Sequence, residues 1–291
     1  MLRSRANSLT AVTVVVSLTT SPTRLKKCEP VIDSLLNQTR LPDAILLNLP
    51  PRFDRTGEEY PSDESLPGWL TRDSLVKIQR CDRDWGPATK LVPTVARLQR
   101  ESPRSIVVSV DDDIRYPPGA ISALAESALS CAVGDAEPEV WCAAGFDFGT
   151  SELHSVREHG KCCAVIEGFA GVAYPTRVFA PDFVSYMQSA ANDADMRFSD
   201  DLVVSNYLAF HDVKRRVLTT VEYSQAILWN SDSVLAYGDQ NDALHNGAGG
   251  VSVSNLVRYR RVLAKLAKDN RLYLPLISLG INQSQFFVRR G

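Results

Sequence analysis

The stretch IVVSVDDD, residues 106–113, sets three consecutive aspartates directly after a run of mostly β-branched residues. Continuous apolar runs of this length are typical of a strand that is buried on both faces of a parallel sheet. In open α/β sheets, ligands bind beyond the carboxyl ends of the strands. The sequence therefore predicts a strand over 106–110 and a ligand site at the aspartates that follow it.

Short β-branched runs alternate with helical patterns on either side of this stretch, which predicts a mostly parallel sheet flanked by helices. The predicted strands cover 12–18, 44–49, 75–79, 106–110, 140–144 and 172–174. The predicted helices cover 29–38, the segments that follow Pro87 and Pro117-Pro118, 199–210 and 252–268. The expected fold class is α/β, with a Rossmann-like order of elements.

The length of 291 residues, with 44% hydrophobic and 23% charged residues, suits one large α/β domain. No internal repeat or linker divides the chain, so we expect a single domain over 1–291, with its core at about 12–210 and a C-terminal region at about 211–291. Segment 50–70 is rich in Pro, Asp, Glu and Ser. It is interpreted either as a lid or as a plain solvated loop.

Charge and cysteine usage exclude some partners and compartments. A net charge of −2 offers no strong field for a polyanion, so nucleic acid is not an expected partner. The apolar run 11–18 is too short to span a bilayer and lacks a cleavage site. The six cysteines form no CxxC pair, which favours reduced thiols and a cytoplasmic location. The basic helix 252–268 fits either peripheral membrane contact or a solvated face.

The aspartate cluster has the chemistry of a metal site. Along an extended chain, Asp111 and Asp113 project to one side and Asp112 to the other. Two carboxylates on one side repel each other unless a cation lies between them, and hard oxygen ligands suit Mn²⁺ or Mg²⁺. The alternative is an acidic turn that caps the next helix. We expect Asp111 and Asp113 to be metal ligands.

The order of a first strand, Thr19-Thr20-Ser21-Pro22, a helix, a second strand and then the aspartate cluster resembles the GT-A-fold nucleotide-sugar glycosyltransferases with a DXD motif, and family 2-like enzymes in particular. Segments 37–39 and 41–43 (NQT and LPD) are similar to the region between the first two strands of many such enzymes. Segment 84–90, DWGPATK, is similar to glycosyltransferase domains of large algal viruses. The resemblance covers roughly residues 12–210.

The resemblance implies a metal-dependent, hexosyltransferase-type enzyme. It would move a sugar from a nucleotide-diphosphate donor, with UDP favoured, to a glycan or other hydroxyl acceptor. The C-terminal region would then shape the acceptor site or act as a lid. The residues that this assigns to the nucleotide sugar are Thr19, Thr20, Arg24, Asp84, Lys90, Asp111, Asp112 and Gly171.

Several of these assignments have plainer alternatives. Thr19-Thr20-Ser21-Pro22 also fits a turn with local hydroxyl caps, and Lys90 fits an exposed lysine without a role. Gly171 closes the segment Glu167-Gly168-Phe169-Ala170-Gly171, which lies between the two acidic sites. Its glycines permit close approach of the backbone to a sugar, on which Phe169 would stack, and the alternative is a strand with a bulge. The resemblance makes His245 a candidate for a further metal ligand, whereas the alternative is a loop histidine.

Asp200 and Asp201 form a second acidic pair, directly after Ser199. A serine N-cap followed by acids in the first helical turn stabilises a helix by itself. The resemblance implies in addition that one carboxylate deprotonates the acceptor hydroxyl of an inverting enzyme, and Asp201 is favoured over Asp200.

Three other functions remain open from the sequence. A sugar nucleotidyltransferase usually has a glycine-rich loop after the first strand, and segment 19–24 contains no glycine. A phosphatase with an aspartate nucleophile would need Thr or Val where Arg115 stands. A catalytically silent carbohydrate-binding protein could keep the same fold.

Overall fold

The computed structural model describes residues 12–134, 136–149, 153–219 and 255–275. The strands in these ranges are β1 (Thr13–Thr19), β2 (Ala44–Leu49), β3 (Arg52–Phe53), β4 (Glu58–Glu59), β5 (Val76–Arg80), β6 (Ser105–Ser109), β7 (Glu139–Cys142), β8 (Gly145–Phe148), β9 (Leu153–Ser155), β10 (Val165–Ile166), β11 (Val172–Pro175) and β12 (Lys214–Val217). The α-helices are α1 (Glu29–Leu36), α2 (Val92–Glu101), α3 (Ala120–Val133), α4 (Phe183–Ala191), α5 (Ala194–Arg197), α6 (Asp200–Phe210) and α7 (Asn255–Lys268).

Seven strands form the central sheet, in the order β12-β7-β11-β6-β1-β2-β5. β1 lies between β2 and β6 and runs parallel to both, and β2 runs parallel to β5. β11 runs antiparallel to its neighbours β6 and β7. The predicted α/β class with a mostly parallel, helix-flanked sheet is confirmed, and the predicted strand bounds are met to within one or two residues for β1, β2, β5 and β6.

Both faces of the sheet are covered, because alternate residues of β1 enter different cores. Val14 and Val16 pack with the buried side of α1 and α3, represented by Leu35 and Leu124. Val15 packs on the opposite face, together with residues of α2, α4 and α6. Burial on both faces explains why β1 and β6 are continuous apolar runs rather than alternating ones.

The connections create a switch point beside β1. The chain passes outward from β1 to β2 and β5, and then returns to β6 on the other side of β1. Loops that leave β1 and β6 therefore diverge above the carboxyl ends of these strands, which is where a crevice opens in an α/β sheet. This crevice receives the segments that follow Thr19 and Ser109.

Segment 50–70 has secondary structure and packs against the protein, so it is not a plain solvated loop. It contains the hairpin of β3 and β4 and two short 3₁₀ turns, Asp63–Ser65 and Gly68–Thr71. Leu70 is 1% exposed, and the Tyr60 hydroxyl donates a 2.6 Å hydrogen bond to the Thr20 carbonyl. The hairpin is therefore tied to the loop after β1.

The predicted helix after Pro87 begins as a 3₁₀ turn, Gly86–Lys90, and the α-helix starts only at Val92. The helices α4 and α5, the strand β12 and the small β10-β8-β9 sheet were not predicted. None of the described helices is long and apolar enough to cross a bilayer.

The basic helix α7 packs against the protein along one face. Arg258 is 1% exposed, and Lys265 forms ion pairs with Asp193 and Asp195 near α5 at 2.7 and 3.0 Å. Arg260 and Arg261 remain exposed. Packing against α5 therefore accounts for part of the basic pattern.

We expect Ile106→Ala to lower the free energy of unfolding by about 2–5 kcal/mol, because Ile106 is fully buried in β6 and its loss leaves a cavity. Urea unfolding followed by circular dichroism measures this loss. Lys77→Ala, at an exposed position of the edge strand β5, should stay within about 0.5 kcal/mol of wild type. Equal effects of the two substitutions would contradict this account of the core.

Candidate functional site

A cleft of about 500 Å³ opens above the carboxyl ends of β1, β5 and β6. Most of the residues predicted for the site line it, namely Thr19, Thr20, Arg24, Asp84, Lys90, Asp111, Asp112, Asp113, Asp200 and Asp201. Gly171 does not line it, and His245 lies outside the described residues. The two acidic clusters, which are far apart in sequence, therefore face one cleft.

The three aspartates after β6 do not follow the predicted alternation. The chain turns at Asp112 and Asp113 instead of staying extended, so the period of two is lost. Asp112 and Asp113 both accept hydrogen bonds from the Arg24 guanidinium, at 3.1 and 3.2 Å. The expectation that Asp112 points away from its neighbours is wrong, because one arginine binds both side chains.

Asp112 is held by the loop after β1. The Thr20 hydroxyl donates a 2.5 Å hydrogen bond to the Asp112 carboxylate, which is 7% exposed. The Thr19 hydroxyl instead donates to the Asn48 carbonyl on β2. Thr19 thus ties the loop after β1 to β2, and Thr20 ties it to the first turn after β6. Local hydroxyl capping alone does not account for these two long-range hydrogen bonds.

Lys90 joins the two acidic clusters. Its Nζ atom lies 2.6 Å from Asp111 Oδ1 and 3.6 Å from Asp200 Oδ2. Lys90 is 7% exposed, and its carbonyl accepts a hydrogen bond from the Ser17 hydroxyl on β1. The alternative of an exposed lysine without a role is therefore excluded by burial and by these ion pairs.

Of the two glycines in segment 167–171, Gly168 lies against the second acidic pair. The Gly168 N–H donates a 3.1 Å hydrogen bond to Asp201 Oδ1. A Cβ at this position would lie 2.6 Å from Lys90 Nζ and 2.9 Å from Asp201 Oδ1, so only glycine fits without displacement. Gly171 has a φ of +97° and closes the following turn, where its carbonyl accepts a hydrogen bond from Ala143.

Arg258 of α7 is a cleft residue that the sequence analysis missed. Its Nε atom donates a 3.2 Å hydrogen bond to the Ser199 hydroxyl, directly before Asp200. Ser199 therefore makes no side-chain N-cap hydrogen bond, contrary to the simple helix-cap interpretation. The available signal was an arginine at 258 on the apolar stripe that continues with Val262 and Leu266.

Burial and like charge shape the acidity of the cleft. Burial raises the pKa of Asp200, and burial together with the charge of Asp200 raises the pKa of Asp201. Burial, with the charges of Asp112 and Asp111, raises the pKa of Asp113 to about 7. Burial opposes the charge of Lys90, but Asp111, Asp200 and Asp201 outweigh this and raise its pKa. A nearby positive charge or a bound proton therefore stabilises the carboxyl groups of this cleft.

The described residues form no closed protein cage for a metal, and the two predicted metal ligands, Asp111 and Asp113, line the cleft. In the part of the chain that the structure describes, no three His, Cys, Asp or Glu side chains converge as a metal cage. Mg²⁺ and similar cations are usually held by one or two carboxylates together with substrate phosphates and water. Asp111 and Asp113 both line the cleft as partly accessible carboxylates, with side chains 30% and 18% exposed.

Asp84 holds loops together. Its Oδ1 atom accepts hydrogen bonds from the Gly86 N–H at 2.7 Å and from the Thr89 hydroxyl at 3.3 Å. Its Oδ2 atom accepts a 2.9 Å hydrogen bond from the Asp54 N–H and lies 3.3 Å from the Arg197 guanidinium. A carboxylate offers about four acceptor positions. Three protein hydrogen bonds and one ion pair therefore engage the two oxygens of Asp84.

No protein-family model matches this chain, and no curated protein matches it in sequence. Among solved structures, it is similar to a crystal structure of 4-diphosphocytidyl-2C-methyl-D-erythritol synthase, with 12% identity and a TM-score of 0.44 over 78% of this chain and 96% of that chain. It is also similar to the mannosyltransferase PcManGT from Pyrobaculum calidifontis in complex with GDP-Man and Mn²⁺, with 12% identity and a TM-score of 0.38 over 76% of this chain and 66% of that chain. Likeness at this level identifies neither a family nor an activity.

Glu167, also in the cleft wall, gives a pH-dependent stability that can be measured. Burial raises its pKa from 4.5 to about 7, so the folded state keeps a proton that the unfolded state has lost between these values. Stability should therefore fall as pH rises from about 4.5 to 7, by roughly 3 kcal/mol at most.

We expect Glu167→Gln to remove the part of this fall that comes from Glu167, so that the variant is more stable than wild type at pH 8 and close to it at pH 5. Urea unfolding midpoints across this range test the expectation. Glu126→Gln, at an exposed position of α3, is the matched control and should follow the wild-type curve. Parallel curves for wild type and Glu167→Gln would contradict the assigned pKa.

Proposed function

We propose that this chain is a metal-dependent glycosyltransferase with a GT-A-like fold, which transfers a sugar from a nucleotide-diphosphate donor to a hydroxyl acceptor. The observation that carries the proposal is the position of Lys90 Nζ, within 2.6 Å of Asp111 and 3.6 Å of Asp200. One cleft thereby combines an acidic cluster that suits a metal diphosphate with a second carboxylate pair that suits a base.

The donor half of the cleft has groups for a diphosphate. Arg24 and Lys90 are cations on the cleft wall, and each is bound to an aspartate that follows β6. Guanidinium and ammonium groups are the usual protein partners of phosphate oxygens. Thr19 and Thr20 border the same wall and would complete the nucleotide pocket.

In this proposal, Asp111 and Asp113 hold a Mn²⁺ or Mg²⁺ ion, and Asp112 orients Arg24. The ion would neutralise charge on the leaving diphosphate. Arg24 would remain within reach of the same phosphate oxygens, because its guanidinium bridges Asp112 and Asp113. UDP is the favoured nucleotide.

Asp201 is the proposed base. One of its oxygens accepts the Gly168 N–H, which fixes the carboxylate at the cleft wall. Its raised pKa makes it a stronger proton acceptor than an ordinary aspartate. The acceptor oxygen would attack the anomeric carbon while the bond to the diphosphate breaks, and the hydroxyl proton would pass to Asp201. A single displacement of this kind inverts the anomeric centre.

Asp200 would have a supporting role, because its carboxylate lies 3.6 Å from the Lys90 ammonium. An ion pair at this point keeps Lys90 between the donor and acceptor halves of the cleft. It also lowers the repulsion between Asp200 and Asp201, which are adjacent at the start of α6.

Donor binding is tested first by thermal unfolding with UDP, with and without Mn²⁺. At UDP about 100 times above its Kd, we expect about 2.7 kcal/mol of Mn²⁺-dependent stabilisation in the wild type. Asp113→Ala should lose it, because the cation loses a ligand. Asp33→Asn, at an exposed position of α1, should keep it. Identical curves for wild type and Asp113→Ala would overturn the donor site.

Catalysis is tested by turnover of radiolabelled nucleotide sugars. We expect Asp201→Asn to lower kcat by about 10²- to 10⁴-fold, because general-base assistance is lost, while donor affinity stays within about threefold of wild type. Full activity in this variant would contradict the base assignment. Binding without turnover in the wild type would favour a silent carbohydrate-binding protein, and release of pyrophosphate from a nucleoside triphosphate would favour a sugar nucleotidyltransferase.

A further inference from the structure

The hairpin of β3 and β4 reaches the cleft from the side of β2. Phe53, Arg55 and Tyr60 from this segment line the same cleft as the aspartates after β6. The Arg55 guanidinium carbon lies 5.0 Å from the centre of the Phe53 ring, so the two side chains form a cation–π unit. Phe53 also packs against the core under the hairpin.

Three contacts fix the hairpin over the cleft. The Asp54 N–H donates to Asp84 Oδ2 at 2.9 Å, and the Arg197 guanidinium binds Asp54 Oδ2 at 2.7 Å. The Tyr60 hydroxyl binds the Thr20 carbonyl at 2.6 Å. The Phe53-Arg55 unit is thus presented from a hairpin anchored directly after each of its strands, at Asp54 and Tyr60, which is what a preformed binding platform needs.

The same region engages both oxygens of Asp84, through hydrogen bonds from Gly86, Thr89 and Asp54 and an ion pair with Arg197. The Asp84 carboxylate holds the hairpin and the turn 84–89 in place. Other groups are therefore needed to recognise a nucleoside that binds beside it. Phe53 and Arg55 belong to the segment that Asp84 holds in place.

We propose that the Phe53-Arg55 unit is the platform on which the base of the nucleotide stacks. This inference rests on the proposed function, because it takes a nucleoside diphosphate as the ligand. Aromatic rings and guanidinium planes are the groups on which nucleobases stack in proteins. The platform belongs to the hairpin that the Tyr60 hydroxyl ties to the Thr20 carbonyl, and it lines the same cleft as Arg24, Lys90 and Asp111.

The test compares UDP with inorganic pyrophosphate, both with Mn²⁺, by isothermal titration calorimetry. Pyrophosphate has no base, so a stacking platform contributes only to UDP binding. We expect Phe53→Ala and Arg55→Ala each to raise the Kd of UDP by about tenfold and to leave the Kd of pyrophosphate unchanged. Phe53→Tyr should bind UDP like the wild type, because it keeps the ring.

Glu59→Ala, at an exposed position of β4, is the control for damage to the hairpin and should bind both ligands like the wild type. Thermal unfolding of each variant without ligand checks that the hairpin substitutions leave the chain folded. If Phe53→Ala fails this check, Arg55→Ala and Phe53→Tyr still decide the question.

Two results would overturn the platform while leaving the glycosyltransferase proposal intact. One is an unchanged Kd of UDP in Phe53→Ala and Arg55→Ala, with or without a change in turnover. The other is an equal loss of pyrophosphate and UDP affinity in Arg55→Ala, which would make Arg55 a phosphate ligand. A wild-type chain that binds no nucleoside diphosphate would instead overturn the proposed function together with this inference.

Discussion

The ammonium of Lys90, buried between Asp111 and Asp200, is the contact on which the cleft depends. Without a cation at this point, carboxylates from two separate segments would face each other in a poorly hydrated space, which is costly. Lys90 is itself placed by the Gly86–Lys90 turn, whose last carbonyl is bound by Ser17 on β1. The charge balance of the site is therefore anchored in the central strand of the sheet.

The rest of the cleft is held in the same manner, by polar contacts to fixed backbone. Asp112 is bound by Thr20, Asp201 by the Gly168 N–H, and Ser199 by Arg258. These contacts come from the loop after β1, from the turn after β10 and from α7, so several distant segments share one site. Such a frame holds like charges close together before any ligand arrives, which is the arrangement that electrostatic preorganisation requires.

Much of the fold could be predicted because its central strands are buried on both faces. Runs such as 44–49 and 106–110 have no competing helical period, so their strand assignments were accurate. β12 was missed because three of its four residues, Lys214, Arg215 and Arg216, are basic. Arg215 is buried there because the carbonyls of Val213 and of the distant residues Cys163 and Ala164 accept its hydrogen bonds. No local pattern encodes such a partner.

The sequence by itself determined which residues could do chemistry, since acids that follow a buried strand or open a helix are visible as local patterns. The resemblance to GT-A-fold enzymes, rather than any local pattern, made the aspartates after β6 and those of α6 candidates for one site. Only the tertiary structure showed that Lys90 lies between the two acidic clusters. It also showed that Gly168 rather than Gly171 lies against Asp201, and that the Asp84 carboxylate holds the hairpin. The physical reason is that periodicity reports neighbours along one element, whereas charge compensation and hydrogen-bond saturation depend on distances between elements far apart in the chain.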